Sequence, residues 1–325
     1  MSATQLRLSS VAVPTSLVAH PMATLLSLLA DGVGIRPQGM PPQWRQTVRS
    51  WLPTGTRQLV APMFHPASAS FPDSLAAAGV GFGRPAEEQI ECIADTAAET
   101  LLAELEADYH GQIPPQWRPV AATPKRWLDR YVSVLRSLWA EFQPMWRRAE
   151  PWFQREAERI GSAVVTGALP TVLTRLNPRW RYVDGVLFLP DLQPTVFEQQ
   201  GRPLALVPLV SGLSASVFNV ESPDRIWIGY PLPGLGRLWS DEPAPPKPDD
   251  PLVLLLGTAR AAILRGLLHP APMSEVARLA GCSPATATYH CGQMEAAGLV
   301  TRQRIGNQVQ VRRTTRGEAL LDLLS

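Results

Sequence analysis

The chain is poor in cysteine, sparing with charge and without a long apolar run. Three cysteines, Cys92, Cys282 and Cys291, in 325 residues exclude a disulfide framework. The first residues lack the basic and apolar stretches of a secretory signal, so a reducing cytoplasm is the expected compartment. The most apolar stretch, 252–268, is broken by Arg260 and Arg265 and falls short of the roughly 18 to 20 apolar residues that span a bilayer. No membrane partner is expected. Charged residues are only 18%, but hydrophobic ones reach 45%, which supplies real cores and excludes a disordered chain. Tyrosine is scarce, with 5 residues, whereas there are 10 tryptophans.

Proline, by contrast, is abundant and marks a boundary. The length suits two domains. The stretch Asp241-Glu-Pro-Ala-Pro-Pro-Lys-Pro-Asp-Asp-Pro251 reads as an extended linker over 241–251. It also prepares a helix, because Asp250 can cap free amides and Pro251 sits where its missing N–H costs nothing. Charge divides at the same place. The net charge is +2, yet residues 252–325 hold eight arginines against four carboxylates, a local +4 that leaves −2 for the rest. A basic module joined to a mildly acidic larger domain is expected when only one part meets phosphate.

Before the linker, residues 17–29, 44–52, 86–109 and 125 to about 176 carry helical spacing. It is clearest in 86–109, where Ile90, Ile93, Ala94, Ala97, Leu101 and Leu105 form one stripe. Pro144 and Pro151 predict kinks or new starts in the last segment. From 181 to 230 the pattern changes to short β-rich runs at 186–189, 204–207, 215–218 and 225–228, divided by turn residues such as Asp184-Gly185. The expected fold is α+β, mainly α. A helix-rich domain over 1–240, with a small antiparallel sheet at about 181–230, precedes a winged helix-turn-helix over 252–325.

Within that last domain, 252–268 predicts a first helix ended by His269-Pro270, and Ser274 caps a short second helix. Gly281 permits a tight turn, and Pro284 opens a third helix reaching about Ala297. Small residues from Ala277 to Gly281 suit a steep helix crossing. The third helix would turn Ser283, Ala285, Thr286, Thr288, Tyr289 and Gln293 outward, with no acidic residue in its first turns. Short polar groups there can enter a major groove and reach phosphates or base edges. Residues 299–305 and 308–313 then alternate around Gly306-Asn307, a hairpin signal. Arg302, Arg304, Arg312 and Arg313, with Asn307 and Gln308 at the tip, make that hairpin a basic wing for phosphates and the minor groove. A short helix over 315–324 closes the chain. Double-stranded DNA is the partner this pattern selects.

The runs Leu256-Gly-Thr-Ala-Arg-Ala-Ala-Ile-Leu-Arg-Gly-Leu-Leu268, Ser283-Pro-Ala-Thr-Ala-Thr-Tyr-His290 and Ala297-Gly-Leu-Val300 resemble bacterial ArsR-type repressors. The whole chain resembles long ArsR-like regulators of high-GC bacteria, through Leu206-Val-Pro-Leu-Val-Ser211 and Tyr230-Pro-Leu-Pro-Gly-Leu-Gly-Arg-Leu-Trp239. The resemblance implies transcriptional regulation and supplies no agreed ligand. It does not extend to metal sensing. There is neither a Cys-x-Cys pair nor a carboxylate and His cluster on the last helix, and Cys282 and Cys291 occupy apolar positions. No metal and no cofactor are expected. His290 matches a family His on the recognition helix, while His20, His65 and His110 have no ligands at metal spacing.

Enzyme signatures are also missing. Gly79-Val-Gly-Phe-Gly83 lacks the spacing of a dinucleotide loop, and Ser211-Gly-Leu-Ser-Ala-Ser216 lacks a nucleophile elbow. The expectation is a non-enzyme. Trp117, Trp127, Trp139, Trp146, Trp152 and Trp180 gather in the middle of the N-terminal domain. They read as core packing or as an aromatic pocket for a bulky, planar effector. The pocket version takes Trp127, Arg130, Trp139, Trp146 and Trp180 as its walls, and periodicity does not separate the two. The function expected is a homodimeric, sequence-specific repressor on an inverted-repeat operator, modulated by a small molecule in the N-terminal domain. The alternative is a winged-helix interaction or assembly module without ligand sensing.

Overall fold

The computed structural model describes residues 3–8, 13–66, 72–77, 82–191, 194–239, 250–267, 270–305 and 308–324. The chain forms two compact units, Met1–Trp239 and Ser240–Ser325. Most of the linker segment, 240–249, lies outside the described residues. The fold class is α+β with helix predominating.

The N-terminal unit is organised by a helix buried on every side, Pro21–Gly32, whose sequence PMATLLSLLADG has no solvent face to offer. Its one charge, Asp31, is 1% exposed and is fully employed. It accepts the amides of Gln38 and Met40 at 2.8 and 2.9 Å and the Arg45 Nε at 2.6 Å, which fixes the path of the chain after the helix. A second helix, Pro124–Val165, runs for 42 residues straight through Pro144 and Pro151. Those prolines neither end it nor start it again. Leu138, Phe142, Met145, Ala149, Trp152, Glu156 and Ile160 continue one buried stripe past both, and that packing outweighs the two lost backbone hydrogen bonds. The stretch 86–109, expected as one helix, is two: Ala86–Ala94 and Ala98–Asp108.

The strands correct the expectation of one small antiparallel sheet. Among the described residues the N-terminal unit has two four-stranded sheets, both mixed, and both recruit the start of the chain. In the first, the order is β3 (Arg181–Val183), β4 (Val186–Pro190), β1 (Ala3–Arg7), β5 (Val196–Glu198), with β1 antiparallel to β4 and parallel to β5. In the second, β2 (Thr15–Leu17), β6 (Leu204–Leu209) and β8 (Ile226–Pro231) are parallel, and β7 (Val217–Asn219) closes antiparallel on β8. The centre strands LALVPL and IWIGYP are buried on both faces, as their unbroken apolar runs require of parallel strands. Asn177 and Gln38 hold the segment that leads into β7, through Nδ2 to the Ala215 carbonyl and Oε1 from the Ser216 amide.

In the C-terminal unit the first helix is divided. Gly257, at φ +79°, separates Pro251–Leu256 from Thr258–Gly266. Asp250 caps the first piece by accepting the amides of Leu252 and Val253, and binds Arg265 Nη2 at 2.7 Å. Helix Met273–Ala280 follows β9 (Ala271–Pro272) and starts without the expected Ser274 cap. Helix Pro284–Ala296, the hairpin of β10 (Val300–Ile305) and β11 (Gln308–Arg313), and helix Thr315–Leu323 complete the unit. Strand β9 adds to β11 to make a three-stranded sheet.

Candidate nucleic-acid interface

Two short helices and a hairpin build the candidate surface. Helix Met273–Ala280 buries Val276 and Ala277 and stops at Gly281, whose φ of +60° is the left-handed conformation that reverses the chain within a residue. Ser283 then caps the next helix, accepting the Thr286 amide at 3.2 Å, and Pro284 occupies the first turn. This helix buries Ala287, Cys291 and Met294, a stripe at four- and three-residue steps. The opposite face holds every residue the sequence placed there. Ser283, Ala285, Thr286, Thr288, Tyr289 and Gln293 are all exposed, Tyr289 at 62%.

No acidic residue stands in the first turn, so the amide end of the helix remains a favourable place for phosphate. Thr288 commits its hydroxyl proton to the Pro284 carbonyl at 2.8 Å, which presents its oxygen outward as an acceptor. Gln293 offers both donor and acceptor, the pairing that suits an adenine edge. His290 is half-buried beside the Tyr289 ring, centroids 5.7 Å apart. Cys291 is buried in the core, where desolvation pushes its thiol pKa up, and Cys282 packs half-buried against the same core.

The hairpin divides its four arginines. Arg304 and Arg312 are exposed. Arg302 is exposed but bound to Glu295 of the preceding helix, Nε to Oε2 at 2.7 Å, while its own amide donates to Oε1 at 2.9 Å. That bond holds the Glu295 carboxyl below its usual range and ties the hairpin to the helix. Arg313 corrects the sequence reading. It is 8% exposed, donates to the Leu264 carbonyl and pairs with Glu318 at 3.2 Å, so its guanidinium lies inside the unit. The register explains this, since Arg313 shares a strand face with buried Val311 and stands opposite buried Val300. Asn307 lies outside the described residues, as does the Gln308 side chain.

Helix, three-residue turn, capped second helix and basic hairpin are a recognisable order. Residues 258–303 match a family model described as a helix-turn-helix domain. The helix-turn-helix domain so matched supports a DNA-binding regulator, and it ends within β10. Neither the curated proteins nor the solved structures yield a match to the chain. Among the described residues no helix is long and apolar enough to cross a membrane.

The tryptophan pocket is not assembled. Trp127, Trp139 and Trp180 are buried, and each indole N–H is used internally, on the Leu59 carbonyl, Glu87 and Ser216 respectively. Trp146 is half-buried and Arg130 exposed. In the structure these five residues take packing and surface positions: Trp127, Trp139 and Trp146 are spread along the 42-residue helix, and Trp180 lies beyond its end. The N-terminal unit has a cavity of about 130 Å³ elsewhere, beside β7 and β8, with Arg36, Asp73, Asp191, Glu221, Phe218 and Trp227 in its lining. Those residues come from four distant stretches of chain, and no spacing in the sequence links them. Glu295 was missed although it lies only seven residues before Arg302, because their pairing follows from the turn between helix and hairpin and not from a periodic pattern.

Proposed function

We propose that the protein is a sequence-specific transcriptional regulator of the ArsR type, a homodimeric repressor that binds an inverted-repeat operator. The observation that carries this reading is the exposed, acid-free polar face of helix Pro284–Ala296 within a matched helix-turn-helix domain. In this reading Thr286, Thr288, Tyr289 and Gln293 meet bases or adjacent phosphates. Ser283 and Ala285 lie against the backbone, and Arg304 and Arg312 run along it. Arg302 acts by positioning the wing through Glu295. The ArsR and repressor assignments rest on the resemblance of the residues quoted above, and the dimer on the small contact area that one recognition helix offers. The N-terminal unit supplies the effector site.

Binding of the purified protein to fragmented genomic DNA, followed by sequencing, tests the reading. Enrichment of a shared inverted repeat is expected. Uniform recovery of fragments would favour the assembly alternative. With an operator in hand, Gln293→Ala or Thr288→Ala should cost about 1–3 kcal/mol on the operator and much less on random duplex. Equal losses on both would contradict base reading by this face.

A further inference from the structure

The cavity of the N-terminal unit has a lining suited to one class of molecule. Phe64, Phe218 and Trp227 contribute aromatic surface. Trp227 is 2% exposed, and its indole N–H has no acceptor. The charged lining is unbalanced, with Asp73, Asp191 and Glu221 against Arg36. Asp191 is served from within the fold: it accepts the Thr4 hydroxyl at 2.6 Å and attracts Arg36. Arg36 is thereby matched, and the remaining negative charge belongs to Asp73 and Glu221.

These two stand exposed at the mouth with no ion pair among the described residues, Asp73 accepting the Asn219 amide group at 2.6 Å. Both carboxyls are held above their usual range, first by partial burial; for Glu221 the charges of Asp73 and Asp191 add to it. Nearby Asp108 is raised to about 6 by burial and then by Asp73, Glu221 and Glu104. A cation at the mouth relieves this repulsion, and aromatic rings behind it add cation–π attraction. The aromatic lining suits an organic cation. At about 130 Å³ the space matches a ring the size of benzene.

We propose that this cavity binds a small organic ammonium ion, its charge between Asp73 and Glu221 and its apolar part against Phe64, Phe218 and Trp227. A hydrogen-bond acceptor on the natural ligand would also satisfy the indole N–H of Trp227. That occupancy alters DNA binding rests on the regulatory reading above, so the test reads binding alone.

Calorimetric titration of the full chain with benzylamine and tetramethylammonium, against benzyl alcohol and benzoate, makes the test. Both cations should bind in the millimolar range or tighter, and benzyl alcohol and benzoate should bind at least tenfold more weakly, roughly the worth of one charged contact. The isosteric variants Glu221→Gln and Asp73→Asn, checked for an unchanged melting temperature, should each weaken the cations by roughly tenfold. Phe218→Ala supplies a second handle should a carboxylate variant fail to fold, with a similar loss expected. Failure of both cations to bind overturns the proposal. So does equal affinity for benzoate, or unchanged affinity in the folded variants.

Discussion

Asp250 does two things at the start of the C-terminal unit. It caps a helix with both Leu252 and Val253 amides, and it holds Arg265 from the following helix. The Arg265 hydrogen bonds are the chief reason its pKa falls from 3.8 to about 2. A carboxyl depressed in the folded form stabilises fully above its unfolded pKa, and the contribution is lost as the pH falls through the folded value. Asp250→Ala should therefore lower stability by about 1–2 kcal/mol at neutral pH. Asp250→Asn keeps the cap and removes the charge. Its deficit relative to wild type, followed by denaturant melts, should shrink as the pH falls below 3.8 and vanish only below the folded value of about 2. A deficit independent of pH would show that the ion pair contributes nothing.

The wing arginines make the second residue-scale test, because the structure assigns them different work. Arg304→Ala and Arg312→Ala should each reduce the slope of log affinity against log salt by about 1, with stability unchanged. Arg313→Ala should instead cost roughly 2–4 kcal/mol of stability by leaving Glu318 and the Leu264 carbonyl without their partner. A salt slope lowered by Arg313→Ala in well-folded protein would place its side chain back on the DNA. The strand alternation was legible here. Arg312 and Arg313 are neighbours on a strand, so only one of them can face outward.

At the scale of elements, the segment after β8 is set by one close approach. Gly234, at φ +81°, lies so near the Trp152 ring that an added Cβ would overlap it. The backbone conformation and the ring contact both forbid a side chain. Gly234→Ala should cost about 3 kcal/mol or more and lower the melting temperature of the N-terminal unit. A neutral result would mean that the Trp152 ring can rotate out of the way. Trp152 reaches Gly234 from the same buried stripe that carries Glu156, whose Oε1 accepts the Tyr230 hydroxyl at 2.6 Å and whose other contacts go to Arg159. Helical periodicity revealed that stripe. It could not reveal that the prolines beside it would be carried through, since that depends on packing against neighbours. Strands β1 and β2 were missed for a related reason. Each is short, and its partners are nearly the length of the unit away in sequence.

At the scale of the whole molecule, the regulatory reading makes a geometric demand. A two-fold dimer places its recognition helices one turn of DNA apart, about 34–36 Å, so the half-sites should be centred about 10 bp apart. Inserting about five base pairs between them moves the half-sites to opposite faces of the duplex and should abolish tight binding in a gel shift. Sedimentation of the free protein should give a dimer mass. A monomer that binds both spacings equally would end the dimeric operator model.

Local chemistry along the chain suffices for much of this. The acid-free helix after Gly281, the basic hairpin and the Asp250 cap follow from residue type and spacing, because caps, turns and periodicity act over a few residues. What needed the folded chain are pairings between distant segments. The choice of Arg313 over Arg312 to turn inward onto the Leu264 carbonyl, two mixed sheets built on the first residues, tryptophans consumed by packing, and a cavity shared by Arg36, Asp73, Asp191 and Glu221 all arise only when the core closes.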